Sequence, residues 1–109
     1  MRKLTHELVL VGIGGNLAVP SIGTPRAVLE AAVAALPAAG LHVRRRSRWY
    51  VSAPVPPSDQ PDYVNAVLIL STQLSAEALL ATLHVIENRF ARVRGQRWGA
   101  RTLDLDLLD

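Results

Sequence analysis

The ordered part of the hydrophobic pattern begins with Leu8-Val9-Leu10-Val11, an apolar run inside a segment, Glu7 to Ile13, that reads as a buried strand. Gly12, Gly14 and Gly15 punctuate its end, and Asn16-Leu17 opens a loop. Thr24 followed by Pro25 has the form of a helix N-cap with proline at the first helical position. Val28, Leu29, Ala32, Val33 and Leu36 then recur at helical spacing until Pro37 to Gly40 stops the helix. Leu41 to Val51 reads as a second strand whose arginines suit a solvated sheet edge, where charge discourages edge-to-edge association. Pro54, Pro56, Pro57 and Pro61 make Ala53 to Pro61 a stiff irregular loop. Tyr63 to Leu74 is a third, strongly apolar strand. Ser75 caps a second helix with Leu79, Leu83, Ile86 and Phe90 along one stripe. A basic loop follows from Ala91 to Arg101, and Thr102 to Leu108 is the last strand. The order β-α-β-β-α-β predicts an α+β, ferredoxin-like fold, an antiparallel sheet with two helices on one face.

Composition narrows the class of protein without naming its chemistry. A length of 109 residues fits one domain, 1–109, and the 50% of apolar residues can line one small core. There is no apolar run of about 18 residues, so no membrane span is expected. The first residues show no signal-peptide pattern, and the absence of cysteine excludes disulfides and thiolate metal sites, which fits the cytoplasm. Twelve Lys and Arg against nine Asp and Glu leave a charge of +3. The basic residues cluster as Arg44, Arg45, Arg46 and Arg48, and as Arg89, Arg92, Arg94, Arg97 and Arg101. Such clusters call for an acidic partner, either nucleic acid or a small polyphosphate.

The last strand carries the most chemistry. In Thr102-Leu103-Asp104-Leu105-Asp106-Leu107-Leu108, a period of two turns Leu103, Leu105 and Leu107 to the core and sets Asp104 and Asp106 together on the other face. Two carboxylates about 7 Å apart along a strand can converge on a hard cation. The same pattern also fits an ordinary strand with a solvated acidic face. Arg92, Arg94, Arg97 and Arg101 beside the pair shift the balance, because phosphoryl-type transfer needs cationic groups on phosphate oxygens next to metal-holding carboxylates. Trp98 in that loop would pack on something flat, a heterocycle or another side chain. Tyr63 and Asn65 share a strand face, an aromatic beside an amide with both donor and acceptor capacity, which suits a flat heterocycle and equally an ordinary half-buried pair. His84 and Glu87 stand three apart on the second helix and could face solvent or a ligand; His6 and His42 read as surface residues. Nucleophile-elbow, Walker-type and dinucleotide glycine motifs are absent from the sequence.

Three ordered motifs resemble the hydroxymethyl-dihydropterin pyrophosphokinase family. Val11-Gly12-Ile13-Gly14-Gly15-Asn16-Leu17 resembles its amino-terminal turn, and Asp59-Gln60-Pro61-Asp62-Tyr63-Val64-Asn65-Ala66 its middle motif. Arg97-Trp98-Gly99-Ala100-Arg101-Thr102-Leu103-Asp104-Leu105-Asp106 resembles its main motif. Gly15 stands where serine is usual, and Ala53 and Ala100 where proline is usual. The resemblance implies transfer of pyrophosphate from ATP to the hydroxymethyl group of a dihydropterin, with release of AMP, in tetrahydrofolate synthesis. It implies that Asp104 and Asp106 hold two Mg2+ ions, that Arg94 and Arg101 contact phosphate as catalytic groups, and that His84, Glu87, Arg94, Trp98 and Arg101 adjoin the nucleotide. Ser52, Val55, Tyr63, Asn65 and Trp98 would form the pterin pocket.

The resemblance further implies that family members continue past Asp109, so the chain reads as a short form lacking the C-terminal part typical of the family. The expected partners are ATP and a dihydropterin, with neither nucleic acid nor membrane, and the expected state is a monomer. Two other readings stand beside this one. A non-catalytic remnant would keep pterin or nucleotide binding alone. An RNA-recognition module would share the element order, but such modules stack bases on aromatics in their central strands, where this chain offers Val9, Val11, Val67 and Ile69.

Overall fold

Among the described residues, 7–91 and 103–108 of the computed structural model, the elements follow as β1 (Glu7–Gly15), α1 (Pro25–Ala35), β2 (His42–Arg46), β3 (Tyr50–Ser52), β4 (Tyr63–Thr72), α2 (Ala76–Ala91) and β5 (Asp104–Leu107). The caps form as their residue types dictate. Thr24 Oγ1 accepts the N–H of Ala27 at 3.2 Å, with Pro25 behind it in α1. Ser75 Oγ accepts the N–H of Ala78 at 3.2 Å at the start of α2. A 3-10 turn, Pro37–Ala39, closes the first helical segment, and Gly40 ends it at φ 88°, a left-handed conformation that favours glycine.

The strands form one sheet in the order β2-β4-β1-β5, with β3 also on β4, and every pairing is antiparallel. This is the expected ferredoxin-like order, with the first and third long strands in the centre. One face of the sheet supplies the core: Val11 and Ile13 from β1, Ala66, Leu68 and Leu70 from β4, and Leu103 and Leu105 at β5. Val28, Leu29 and Ala32 of α1 and Leu79, Leu83, Ile86 and Phe90 of α2 meet that same face, so both helices lie on one side. Fully burying each of the larger side chains among them, valine, leucine, isoleucine or phenylalanine, stabilises the fold by roughly 1.5–3 kcal/mol as an upper estimate.

The expected single strand from Leu41 to Val51 is two strands. The register against β4 shifts between Val43 and Arg45. It shifts again between Arg46, which faces Leu68, and Tyr50, which faces Asn65; an unbroken ladder would put Tyr50 opposite Val64. Ser47 occupies the second break. Its N–H donates to Val67 O at 2.8 Å, and its hydroxyl accepts the Val67 N–H at 2.8 Å, so a side chain replaces a backbone acceptor. Trp49 packs against the core at this point, under the Arg46 guanidinium at 4.9 Å from its ring centre. β2 is an edge strand and Arg44, Arg45, Arg46 and Arg48 are exposed, as the charge pattern predicts. His42 is exposed as well.

Candidate active site

On the sheet face away from the helices, strand pairing builds two rows. In the first, Tyr50 faces Asn65, Asn65 faces Gly14, and Gly14 faces Asp104. One pleat further on, Val67 faces Gly12 and Gly12 faces Asp106. Glycine in the middle of both rows removes the side chains that would fill the floor. The result is a cleft of about 220 Å³, lined among the described residues by Gly12, Gly14, Tyr50, Tyr63, Asn65, Val67, Asp104, Asp106 and Leu108 and the backbone beneath them.

The two floor glycines have different reasons. A β-carbon on Gly14 would lie 2.7 Å from Asn65 Oδ1 and 3.4 Å from Val64 O, so only glycine lets the Asn65 amide lie over β1. A β-carbon on Gly12 would meet only the Leu108 side chain at 3.6 Å, an ordinary contact. Gly12 therefore keeps the floor low without relieving a clash.

The polar wall is held in place by its neighbours. Asn65 Nδ2 donates to Ser52 Oγ at 2.9 Å, which fixes the amide and aims its oxygen across Gly14. Asn16, 1% exposed, donates from Nδ2 to Gln60 Oε1 at 3.0 Å and to Pro61 O at 2.9 Å. The Tyr63 hydroxyl reaches the same Gln60 oxygen at a longer 3.5 Å. The end of β1 is thereby latched to the proline-rich loop at the point where that loop enters β4. The first and middle sequence motifs meet in this latch.

Asp104 is half-buried and Asp106 exposed, on one face of β5. Among the described residues no group of three or more His, Cys, Asp and Glu converges on a point. Two hard oxygen donors are the set magnesium accepts when substrate phosphates and water complete its shell, so the residues present fit that ion.

Glu87 is partly buried on α2, and its Oε2 accepts the backbone N–H of Leu105 at 2.6 Å. Burial raises its pKa above the ordinary carboxylate value, and the nearby Asp104 adds to the rise; the Leu105 N–H and His84 oppose it. His84 itself is exposed.

Of the residues singled out from sequence, Tyr63, Asn65, Asp104 and Asp106 come together in the cleft. Ser52 supports it through Asn65. Val55 is 93% exposed in the loop and is not brought to the cleft wall. Arg94, Trp98 and Arg101 lie outside the described residues. Sequence reading passed over Tyr50, the floor role of Gly12 and Gly14, and the Asn16–Gln60 latch. A period of two counted from Val43 does put Tyr50 on the non-core face; nothing in the sequence marks its partner across the sheet.

Comparison with known proteins finds one family and several similar proteins. Residues 10–109 match the family described as 7,8-dihydro-6-hydroxymethylpterin-pyrophosphokinase (HPPK). The chain is 46% identical over 99 residues to a 2-amino-4-hydroxy-6-hydroxymethyldihydropteridine pyrophosphokinase of Haemophilus influenzae, covering 90% of this chain and 59% of that protein. It is 46% identical over 100 residues to the protein of the same name from Synechocystis, covering 91% and 48% respectively. With the Pseudomonas aeruginosa protein of that name the identity is 45% over 105 residues, covering 94% and 60%. The chain thus spans about half to three-fifths of the length of these curated relatives.

Proposed function

The chain belongs to the 7,8-dihydro-6-hydroxymethylpterin-pyrophosphokinase family, and on that premise we propose that it takes part in ATP-dependent pyrophosphoryl transfer to the hydroxymethyl group of 6-hydroxymethyl-7,8-dihydropterin, in folate synthesis. The hydroxymethyl oxygen attacks the β-phosphorus of ATP and gives up its proton. The bond from that phosphorus to the α,β-bridging oxygen breaks, and AMP leaves with the oxygen.

The observation that carries this reading is the row Tyr50–Asn65–Gly14–Asp104. It sets a fixed amide and an aromatic ring at one end of a glycine floor and a carboxylate at the other. A flat pterin fits the amide end, where the Asn65 oxygen, held by Ser52, accepts from the ring's donor edge. Tyr50 and Tyr63 give that end aromatic walls. The hydroxymethyl group then points along the floor toward Asp104 and Asp106, which would hold two magnesium ions. Bound there, magnesium supplies charge neutralisation on the phosphates. Arg94, Trp98 and Arg101 are assigned to the phosphates and the nucleotide through the matched motif. His84 is assigned to the nucleotide side because it adjoins Glu87 at the α2–β5 border.

We further assign the chain to the cytoplasm as a monomer acting on small molecules. Among the described residues no helix is long and apolar enough to cross a membrane. The alternative is a protein that binds pterin and nucleotide without turning them over. Chromatographic assay of AMP formation with ATP, magnesium and the dihydropterin separates the two. Pterin-dependent AMP in equal amount to pterin diphosphate supports the transferase. Calorimetric binding of both substrates with no AMP selects the binding protein, and binding of neither ends both readings.

A further inference from the structure

Edge strand β5 carries both acidic residues of the cleft, yet only β1 pairs with it among the described residues. Leu108 N–H donates to Leu10 O at 2.8 Å, and the register from there is regular. By the antiparallel alternation, Asp106 and Asp104 also turn their backbone groups toward β1. Leu105 therefore turns its N–H to the open edge, between the two aspartates. The group that meets it is Glu87, whose Oε2 lies 2.6 Å away. At that distance the carboxylate oxygen is a close acceptor for the amide.

We propose that Glu87 is a positioning residue for the acidic pair: its carboxylate ties β5 to α2 through the Leu105 N–H and so fixes the backbone from which Asp104 and Asp106 project. A strand held from one side only can shear or fray at its end, and a displacement of about 1 Å is enough to spoil a catalytic geometry. The tether supplies the second point of attachment. It differs from the role assigned to Glu87 by family resemblance, which sets it beside the nucleotide as a ligand. The proposal rests on the reading of Asp104 and Asp106 as metal-holding groups, while the tether itself is independent of that reading.

Two measurements on Glu87→Ala and Glu87→Gln test it. Amide hydrogen exchange in the unliganded protein reports the tether. Titration with Mn2+ in the presence of ATP, followed by electron paramagnetic resonance, reports the acidic pair. In Glu87→Ala the Leu105 amide is expected to exchange about tenfold faster or more, with Val11 and Leu68 unchanged, and Mn2+ binding to weaken several-fold. Glutamine keeps a carbonyl oxygen as acceptor, so Glu87→Gln is expected to restore both values to within about twofold of the parent. An unchanged Leu105 amide in Glu87→Ala overturns the proposal. So does a Glu87→Gln protein that keeps Leu105 protected yet binds Mn2+ as weakly as Glu87→Ala, because the carboxylate would then act by its charge. Should Glu87→Ala not fold, Glu87→Gln decides alone: parent-like values support the tether, and their loss overturns it. A parent protein that binds no Mn2+ with ATP ends the metal reading of the aspartates and with it the positioning role, whatever Leu105 exchange says of the tether.

Discussion

Gly14 lies directly opposite Asn65 in the sheet, and a β-carbon on it would come within 2.7 Å of the Asn65 amide oxygen. The amide occupies the space a side chain would take. Gly14→Ala should therefore push Asn65 away from Ser52 and narrow the floor toward Asp104. Overpacking of this kind costs about 1–3 kcal/mol. Calorimetric titration of the dihydropterin should show about tenfold weaker binding or more, with ATP affinity changed by no more than about twofold. Parent-like pterin affinity in Gly14→Ala would mean that the amide does not read the ligand.

Asp104→Ala and Asp106→Ala should each abolish magnesium-dependent AMP release. A lost metal ligand removes several kcal/mol of transition-state stabilisation, far more than one surface charge can supply. Both side chains point away from the core, so circular dichroism and melting temperature should stay close to those of the parent. AMP release at the parent rate from either variant sinks the assignment of the pair.

Asn65 and Ser52 should behave as one unit toward the pterin. Asn65→Ala leaves the ligand's edge unpaired and should weaken pterin binding far more than nucleotide binding. Ser52→Ala removes only the acceptor for Asn65 Nδ2 and should cost about 0.5–1.5 kcal/mol. The double variant should be no worse than Asn65→Ala, because the serine acts through the amide. Strictly additive losses in pterin affinity would show that Ser52 acts by another route.

Asn16→Ala should release the loop that leads into β4. Its amide bonds Gln60 and Pro61 from a buried position, so removal should destabilise the protein by about 1–3 kcal/mol. Limited proteolysis should then cut within residues 53–61 faster than in the parent. Asn16→Asp keeps the size but loses the donating NH2 group, and should open the loop as well. An uncut loop in both variants would mean that something other than Asn16 holds it.

Much of this fold is legible in the chain because the rules involved are local. Thr24-Pro25 and Ser75 start helices, Gly40 stops one, and Leu79, Leu83, Ile86 and Phe90 mark a buried stripe, each through backbone geometry within one or two turns. The strand period alone turns Leu103 and Leu105 inward and Asp104 and Asp106 outward. The segment from Leu41 to Val51 shows where local reading stops. Its two register shifts leave no mark in hydrophobicity, and at the second a serine hydroxyl, in place of a backbone carbonyl, accepts the N–H of Val67 on another strand.

The amino-acid sequence by itself determined which side chains share a face of each unbroken strand or helix, because a residue's direction there follows from its own backbone. Only the tertiary structure decided which of those residues stand opposite one another. Tyr50, Asn65, Gly14 and Asp104 come from four strands, and their alignment is set by long-range pairing and by how the core beneath interlocks. Glu87 belongs to the same class. Its spacing on α2 marks it as bordering the buried stripe, but its hydrogen bond with Leu105 exists only because the helix packs along the open edge of β5.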